Sequence, residues 1–370
     1  MPLVRHAPSR ASVLVIVLIT LMFTTIALLN FLEKASDDLL VEARDVAGRR
    51  LRQEAYSALE VTLGVLEDFR LVNGGLRSPA EGWSNPLEFA GWEPREGREV
   101  EIAFEDESGK LSLPHAELTT LVSLFQGWGM PQSDAERLAD ALLGWIKKEH
   151  VSSTARLPDY DQGSLPYGPP LRSMRSYSEL AAIDYAREIF YDENGQTNEL
   201  WDRFVGAISL FDFKETNLNG LSGNLLNDLG LIDAGQQRQF QDFRKGTGAH
   251  AREGPGYFED AADATRVMGA QALSGYGTQI SALRIIVTVR EGKTNFRLAV
   301  VVAPSGGAKA VQEVSVSTGE NPAEQPPEKQ AKAENQENSD GAKKLNYPFT
   351  LLEIRENAEI STTSASPTKA

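Results

Sequence analysis

From Ala11 to Leu32 the chain carries no charged residue, and it continues to Phe69 with no helix breaker except Gly48 and Gly64. A stretch of about 22 apolar positions, rising about 1.5 Å per residue, matches a hydrocarbon core about 30 Å thick. Arg5 and Arg10 precede it without an acid, whereas Glu33, Asp37 and Asp38 come after it against Lys34 alone. That asymmetry keeps the N-terminus cytoplasmic and sends the rest of the chain across, as a single-pass protein. A removable secretory signal is the competing reading. It needs a shorter apolar core and a small-x-small site; only Thr25 to Ala27 comes near, and Leu28, Leu29, Phe31 and Leu32 continue past it.

Beyond the apolar run the periodicity becomes two-faced. Leu39, Leu40, Ala43, Val46, Ala47, Leu51, Ala55, Leu59, Leu63 and Leu66 recur at spacings of three and four, while Asp38, Glu42, Arg44, Asp45, Arg49, Arg52 and Glu54 fill the other side. The spacing predicts an amphipathic helix over 33–71 continuous with the apolar one over 12–32. A membrane anchor leading into a stalk or coiled coil is the plain alternative, and these residues alone leave it open.

Asn73, Gly74 and Gly75 end the helix, and a loop rich in Gly, Pro and Trp runs to about Glu96. "REVEIAFEDESGKLSL" reads as a strand, a tight turn and a second short strand of one sheet within 72–114. A block over 115–270 is helical by periodicity, including "SDAERLADALLGWIKKEH" with Ser133 and Glu136 as a capping box. "ISALRIIVTVR" and "NFRLAVVVA" form a hairpin across "EGKT" within 271–303, and "YPFTLLEIRE" within 345–357 is a further strand. The residues from about 304 to 344 hold hardly an apolar anchor, so they are expected to be a disordered insertion, with 358–370 a flexible tail. A strand that returns after such an excursion most simply rejoins the sheet left at Val302. The fold class is therefore α+β: a long N-terminal helix on an antiparallel sheet, with a large helical domain inserted in it.

A formal net charge of -15 over 370 residues disfavours a nucleic-acid partner, which needs a basic surface to displace counterions. No cysteine is present, which excludes disulfides and thiolate metal sites. His6, His115, His150 and His250 show no metal-ligand spacing, Ser222 lacks a nucleophile-elbow pattern, and no phosphate-cradling glycine loop follows a strand. "DENGQTNE" from Asp192 offers oxygen donors, but its glycine sits too early for a calcium loop, and an Asn-Gly turn explains it. "TNLNGLSGNLLNDLGLI" resembles half of a helix-hairpin-helix module but has no basic neighbours, which favours a structural helix pair. Trp128, Trp145 and Trp201 are core candidates. No catalytic constellation is evident, so the chain is read as non-enzymatic.

The order of "SRASVLVIVL", "DESGKLSL", "ALLGWIKKEH", "LPYGPPLRSMRSYSELAAI" and "TNLNGLSGNLLNDLGLI" along nearly the whole chain resembles the minor pseudopilin K family of type II secretion (general secretion pathway protein K). The resemblance implies a prepilin-type leader over 1–11, cleaved by prepilin peptidase between Ala11 and Ser12, and a pilin-like fold. It further implies a place at the pseudopilus tip, helping to initiate fibre assembly for protein export. The partners would be other minor pseudopilins and the inner-membrane platform, with the body in the periplasm. Leaders of this kind end in glycine, so Ala11 is a departure. Ile16, fifth from Ser12, stands where most pilin-like subunits carry glutamate and where member K does not. A tip subunit has no neighbour above to pair with that carboxylate, and an unpaired one in lipid is costly. The assembly residues expected are Ile16, Leu39, Val46, Leu59 and Leu66, the latter four equally able to pack on the chain's own sheet.

No cofactor is expected. The family implies calcium, but its acidic A-L-x-D-W-x-D segment is here Ala141 to Lys147, followed by Lys148, with Gly144 and Lys147 in place of the acids. The rival readings are a minor pilin of a type IV pilus or DNA-uptake machine, and a single-pass envelope binding or sensor module with an uncleaved anchor. An extracytoplasmic hydrolase is the most distant rival.

Overall fold

Helix-forming residues run from Arg10 to Asn73, and in a computed structural model of the chain they fold as one helix, α1. The structure describes residues 10–154, 160, 167–221, 224–269, 274–309 and 348–357. At 64 residues α1 is about 96 Å long, and it stops where Gly74 enters the left-handed region at φ 69°. After it come α2 (Pro86–Phe89), β1 (Glu99–Asp106), β2 (Leu111–Ser112), α3 (Leu118–Gly127) and α4 (Gln132–Ile146). Next are α5 (Ala186–Phe190), α6 (Glu199–Ala207), β3 (Ile208–Ser209), β4 (Thr216–Asn217), α7 (Leu225–Asp228), α8 (Ala234–Lys245) and α9 (Ala261–Met268). The chain closes with β5 (Tyr276–Gly277), β6 (Leu283–Glu291), β7 (Thr294–Pro304) and β8 (Phe349–Glu356).

The main sheet is antiparallel in the order β1-β6-β7-β8, with Ile102 opposite Val287, Val287 opposite Leu298 and Val300 opposite Ile354. β8 therefore rejoins the sheet beside β7, and the helical block lies between β1 and β6. Leu51, Ala55, Leu59, Val65 and Leu66 of α1 pack against Leu283, Ile285, Val287, Val289, Leu298 and Val300. The reverse face of the sheet is also covered, where Phe213 of the helical block packs with Ala282, Val301 and Ala303. Burial on both faces is why β6 and β7 read as nearly continuous apolar runs. Glu291 pairs with Thr294 across a two-residue loop whose Gly292 has φ 58°.

Several local expectations are corrected. Leu111–Ser112 does not extend the main sheet; it pairs in parallel with Ile208–Ser209 of the helical block. The cause is the turn at 107–109, where the Asp106 carboxylate accepts from the Ser108 amide at 2.9 Å and steers the chain off the sheet. Gly109 there packs on the Gly220 backbone so closely that a Cβ would meet its carbonyl oxygen at 2.0 Å. Ser133 is not a cap: α4 begins behind Pro131, and Glu136 accepts instead from the Gln132 side chain at 2.8 Å. A capping box does form at Ser78 and Glu81, inside the stretch expected to be loop. The segment expected to be disordered from 304 is ordered through 309, because the Ala308 amide donates to the Ser281 carbonyl at 2.8 Å and Lys309 bridges Asp212. Residues 310–344 and 358–370 lie outside the described residues.

Candidate assembly site

Among the described residues nothing covers the segment from Val15 to Leu32 in the first half of α1. Val15–Ala35 is long and apolar enough to cross a membrane, and none of it is buried; Phe23 is 70% exposed. Its hydroxyls are satisfied internally, since Thr20 donates to the Val17 carbonyl at 2.8 Å and Thr24 and Thr25 to that of Leu21 at 2.9 and 2.8 Å. Threonines that bond their own helix in this way add no unsatisfied hydroxyl to an apolar surrounding, and Asn30 is the other polar side chain between Val15 and Leu32. Ile16 is 57% exposed on this segment. Ala11 and Ser12 lie on the first turns of α1, and their side chains, like that of Leu39, are outside the described residues.

The second half behaves oppositely. Leu59 is 5% and Leu66 0% exposed, both committed to the chain's own sheet, so of the two roles open to them they take the internal one. Val46 is half-buried, and Leu51 is the first fully buried stripe residue among those whose side chains are described. The outward side of α1 at this level is polar, through Gln53, Ser57, Glu60 and Asp68. Exposed apolar residues sit elsewhere, with Leu71, Val72 and Phe89 at the far end of α1 and Leu351 and Ile354 on the edge strand β8. Sequence reading missed these two patches. Leu71 and Val72 fall outside the stripe that ends at Leu66, a signal available from spacing alone.

Ion pairs fix α1 to both edges of the sheet. The buried Glu54 carboxylate accepts from the Arg98 guanidinium at 2.9 Å and the Arg95 amide at 3.0 Å, beside β1. Glu356 of β8 accepts from Arg52 at 2.8 Å and from the Tyr56 hydroxyl at 2.7 Å. Hydrogen bonds from the Arg52 and Tyr56 side chains hold the Glu356 carboxyl below its ordinary range.

A second network joins the sheet to the helical block. Arg284 of β6 donates to Glu107 at 2.8 and 2.6 Å and to Glu353 of β8 at 3.1 Å, while Lys110 pairs with Glu105 at 2.7 Å and Glu107 at 3.3 Å. Burial alone would raise the Glu107 carboxyl, but the Lys110 and Arg284 charges bring it down to about 2. Burial would likewise lower the Lys110 ammonium, and Glu107 raises it instead. Tyr177 of the helical block, raised chiefly by burial, closes the network by donating to the Ile208 carbonyl at 2.7 Å. Such a network holds the helical block at a set position on the sheet.

Chemistry finds little support in these groups. His115 meets Asp212 at 2.5 Å on the surface, and Ser112 nearby turns its hydroxyl to the Phe211 carbonyl at 2.8 Å. Among the described residues no group of three His, Cys, Asp or Glu is placed to hold a metal. Asp192 spends one carboxylate oxygen on the Asn194 and Gln196 amides at 2.9 and 2.8 Å, as a plain turn requires. At the segment where the resemblance implies calcium, the residues do not fit: Gly144 offers no donor, and Lys147 brings an ammonium that donates to the Ala116 carbonyl at 2.7 Å.

Residues 104–192, from β1 through the buried network and on past α5, match the protein family described as type II secretion system (T2SS), protein K. No curated protein matches the chain. Among solved structures the fold is similar to GspK in the crystal structure of the GspK-GspI-GspJ complex from the enterotoxigenic Escherichia coli type 2 secretion system, with a TM-score of 0.50. The two are 14% identical, and the likeness covers 73% of this chain and 99% of that one.

Proposed function

We propose that this chain, which the family match and the fold support as a type II secretion minor pseudopilin K, is a non-enzymatic tip subunit of the pseudopilus that helps to initiate fibre assembly. The observation that carries the reading is the division of α1 into a charge-free, uncovered half and a half welded to the body. The uncovered half anchors the chain in the inner membrane with its N-terminus cytoplasmic, and about 24 Å of helix separates Ala35 from Leu51, where the periplasmic body begins. The matched protein is seen with GspI and GspJ, and other minor pseudopilins are the corresponding partners here. They meet the outward side of α1 and the uncovered half rather than Leu59 and Leu66, which are already occupied. Ile16 leaves the anchor without a carboxylate seeking a partner, as suits a subunit with nothing above it. The helical block between β1 and β6 adds bulk that a tip tolerates and a closely packed shaft does not.

The test is the mature N-terminus, read by mass spectrometry from cells with and without active prepilin peptidase. A peptidase-dependent start at Ser12 is expected; an intact leader in both strains contradicts the proposal and favours a permanently anchored envelope protein. Ile16→Glu is expected to change the position or dosage of the subunit in the fibre, and unchanged secretion by that variant counts against the tip assignment.

A further inference from the structure

We infer that the Asp140 segment of the helical block is a cation-independent latch, in which the loop at 150–154 supplies the hydrogen-bond donors that a bound divalent ion would otherwise replace. Asp140 lies on α4 and is 4% exposed. Its Oδ1 meets His150 Nε2 at 2.9 Å. Its Oδ2 accepts from the Ser153 and Thr154 amides at 2.9 and 2.8 Å and from the Ser152 and Ser153 hydroxyls at 3.0 Å each. Each carboxylate oxygen has two lone-pair sites, so the loop donors saturate Oδ2 and His150 takes one site of Oδ1. Burial would raise the Asp140 carboxyl, but the Ser153, His150, Thr154 and Ser152 hydrogen bonds lower it, as a charged acceptor requires.

The neighbouring positions exclude an ion as firmly. Asp140 and Gly144 fall at i and i+4 on α4 and so share a side, and Lys147 follows as the residue that caps the helix. A Cβ on Gly144 would stand 3.8 Å from Cδ2 of His150, so the imidazole occupies the room a carboxylate there would use. Lys147, half-buried, spends its ammonium on the Ala116 carbonyl. Calcium takes about six to eight oxygens at 2.3–2.6 Å. Asp140, Gly144 and Lys147 together provide one carboxylate, already engaged by the 150–154 loop, and a positive charge. The inference concerns this segment alone and stands whether or not the chain serves a pseudopilus.

The experiment is thermal unfolding of the full-length protein in detergent, followed by tryptophan fluorescence, after treatment with a chelator and again with excess calcium chloride. Coincident transitions, together with no heat of calcium binding by calorimetry, are expected. A calcium-dependent, saturable rise in Tm overturns the inference. For the latch itself, His150→Ala is expected to speed limited proteolysis between Lys147 and Thr154 about tenfold, with no rescue by calcium. Asp140→Asn should do more, and His150→Ala remains informative if that variant does not fold. Proteolysis unchanged by His150→Ala, or slowed by calcium, overturns the latch.

Discussion

Both halves of α1 carry many apolar residues, the first more densely, and they meet opposite fates. Phe23 and Ile16 stand uncovered, while Leu59 and Leu66 are sealed against β6 and β7. The difference lies in arrangement. In the first half apolar side chains surround the helix, so no single partner surface within the chain can cover them; in the second they keep to one stripe, which one sheet face covers completely. Charge follows the same logic. It is absent from Val15–Leu32, and in the second half it is placed where Glu54 and Arg52 tie the helix to the sheet edges. A helix uncovered by its own chain is available to lipid or to other subunits, and a covered one serves as a rigid mount.

The contrast is broken most severely through the body that does the covering. Arg284→Ala leaves Glu107 buried without its main partner and should cost about 3–5 kcal/mol in chemical denaturation of the detergent-solubilised protein. The same carboxyl sets an acid limit. Glu107 titrates near 4.5 when unfolded and at about 2 when folded, so its stabilisation is complete above about 4.5 and is lost as pH falls from there toward about 2. Denaturation midpoints measured down this range should fall, and should fall less in Arg284→Ala. Leu66→Ala opens a cavity between α1 and the sheet and should cost about 2–5 kcal/mol by the same assay. Phe23→Arg acts on the other half alone. It should cost about 2.5–3.5 kcal/mol of membrane insertion, seen as loss from the membrane fraction, with body unfolding unchanged. Leu29→Ala should stay within about 0.5 kcal/mol in body stability, because Leu29 is exposed and lies outside the core that α1 forms with the sheet.

Much of this was legible in residue order. The uncharged run, the stripe from Leu51 to Leu66, the "EGKT" turn and the return of "FTLLEIRE" to the sheet all arise from periods and breakers that act locally. What stayed hidden is pairing across distance. Glu107 and Arg284 are far apart in sequence, and "DESGK" reads as a solvated turn until the fold buries its glutamate. Arg284 gave a partial signal, as a charge that is set among the apolar residues opening β6 and that must find an acid. β2 is too short for any period to announce its partner, and Pro131 took the helix start that the spacing of Ser133 and Glu136 would mark. Leu59 and Leu66 could not be assigned in advance, since an apolar stripe has the same chemistry whether the chain or a neighbour covers it. At the assembly site the anchor was readable and Leu71 and Val72 lay off the stripe by spacing, while Leu351 and Ile354 emerged only with the fold.

The chain has no cysteine, so single cysteines report cleanly on each half of α1. The decisive measurement is labelling of Phe23→Cys, Ser57→Cys and Leu66→Cys variants in spheroplasts with a maleimide that cannot cross membranes. The account predicts that Ser57→Cys reacts at once, that Leu66→Cys reacts only after unfolding, and that Phe23→Cys reacts only once detergent dissolves the bilayer. Rapid labelling of Phe23→Cys in intact spheroplasts, or protection of Ser57→Cys until they are lysed, would contradict it.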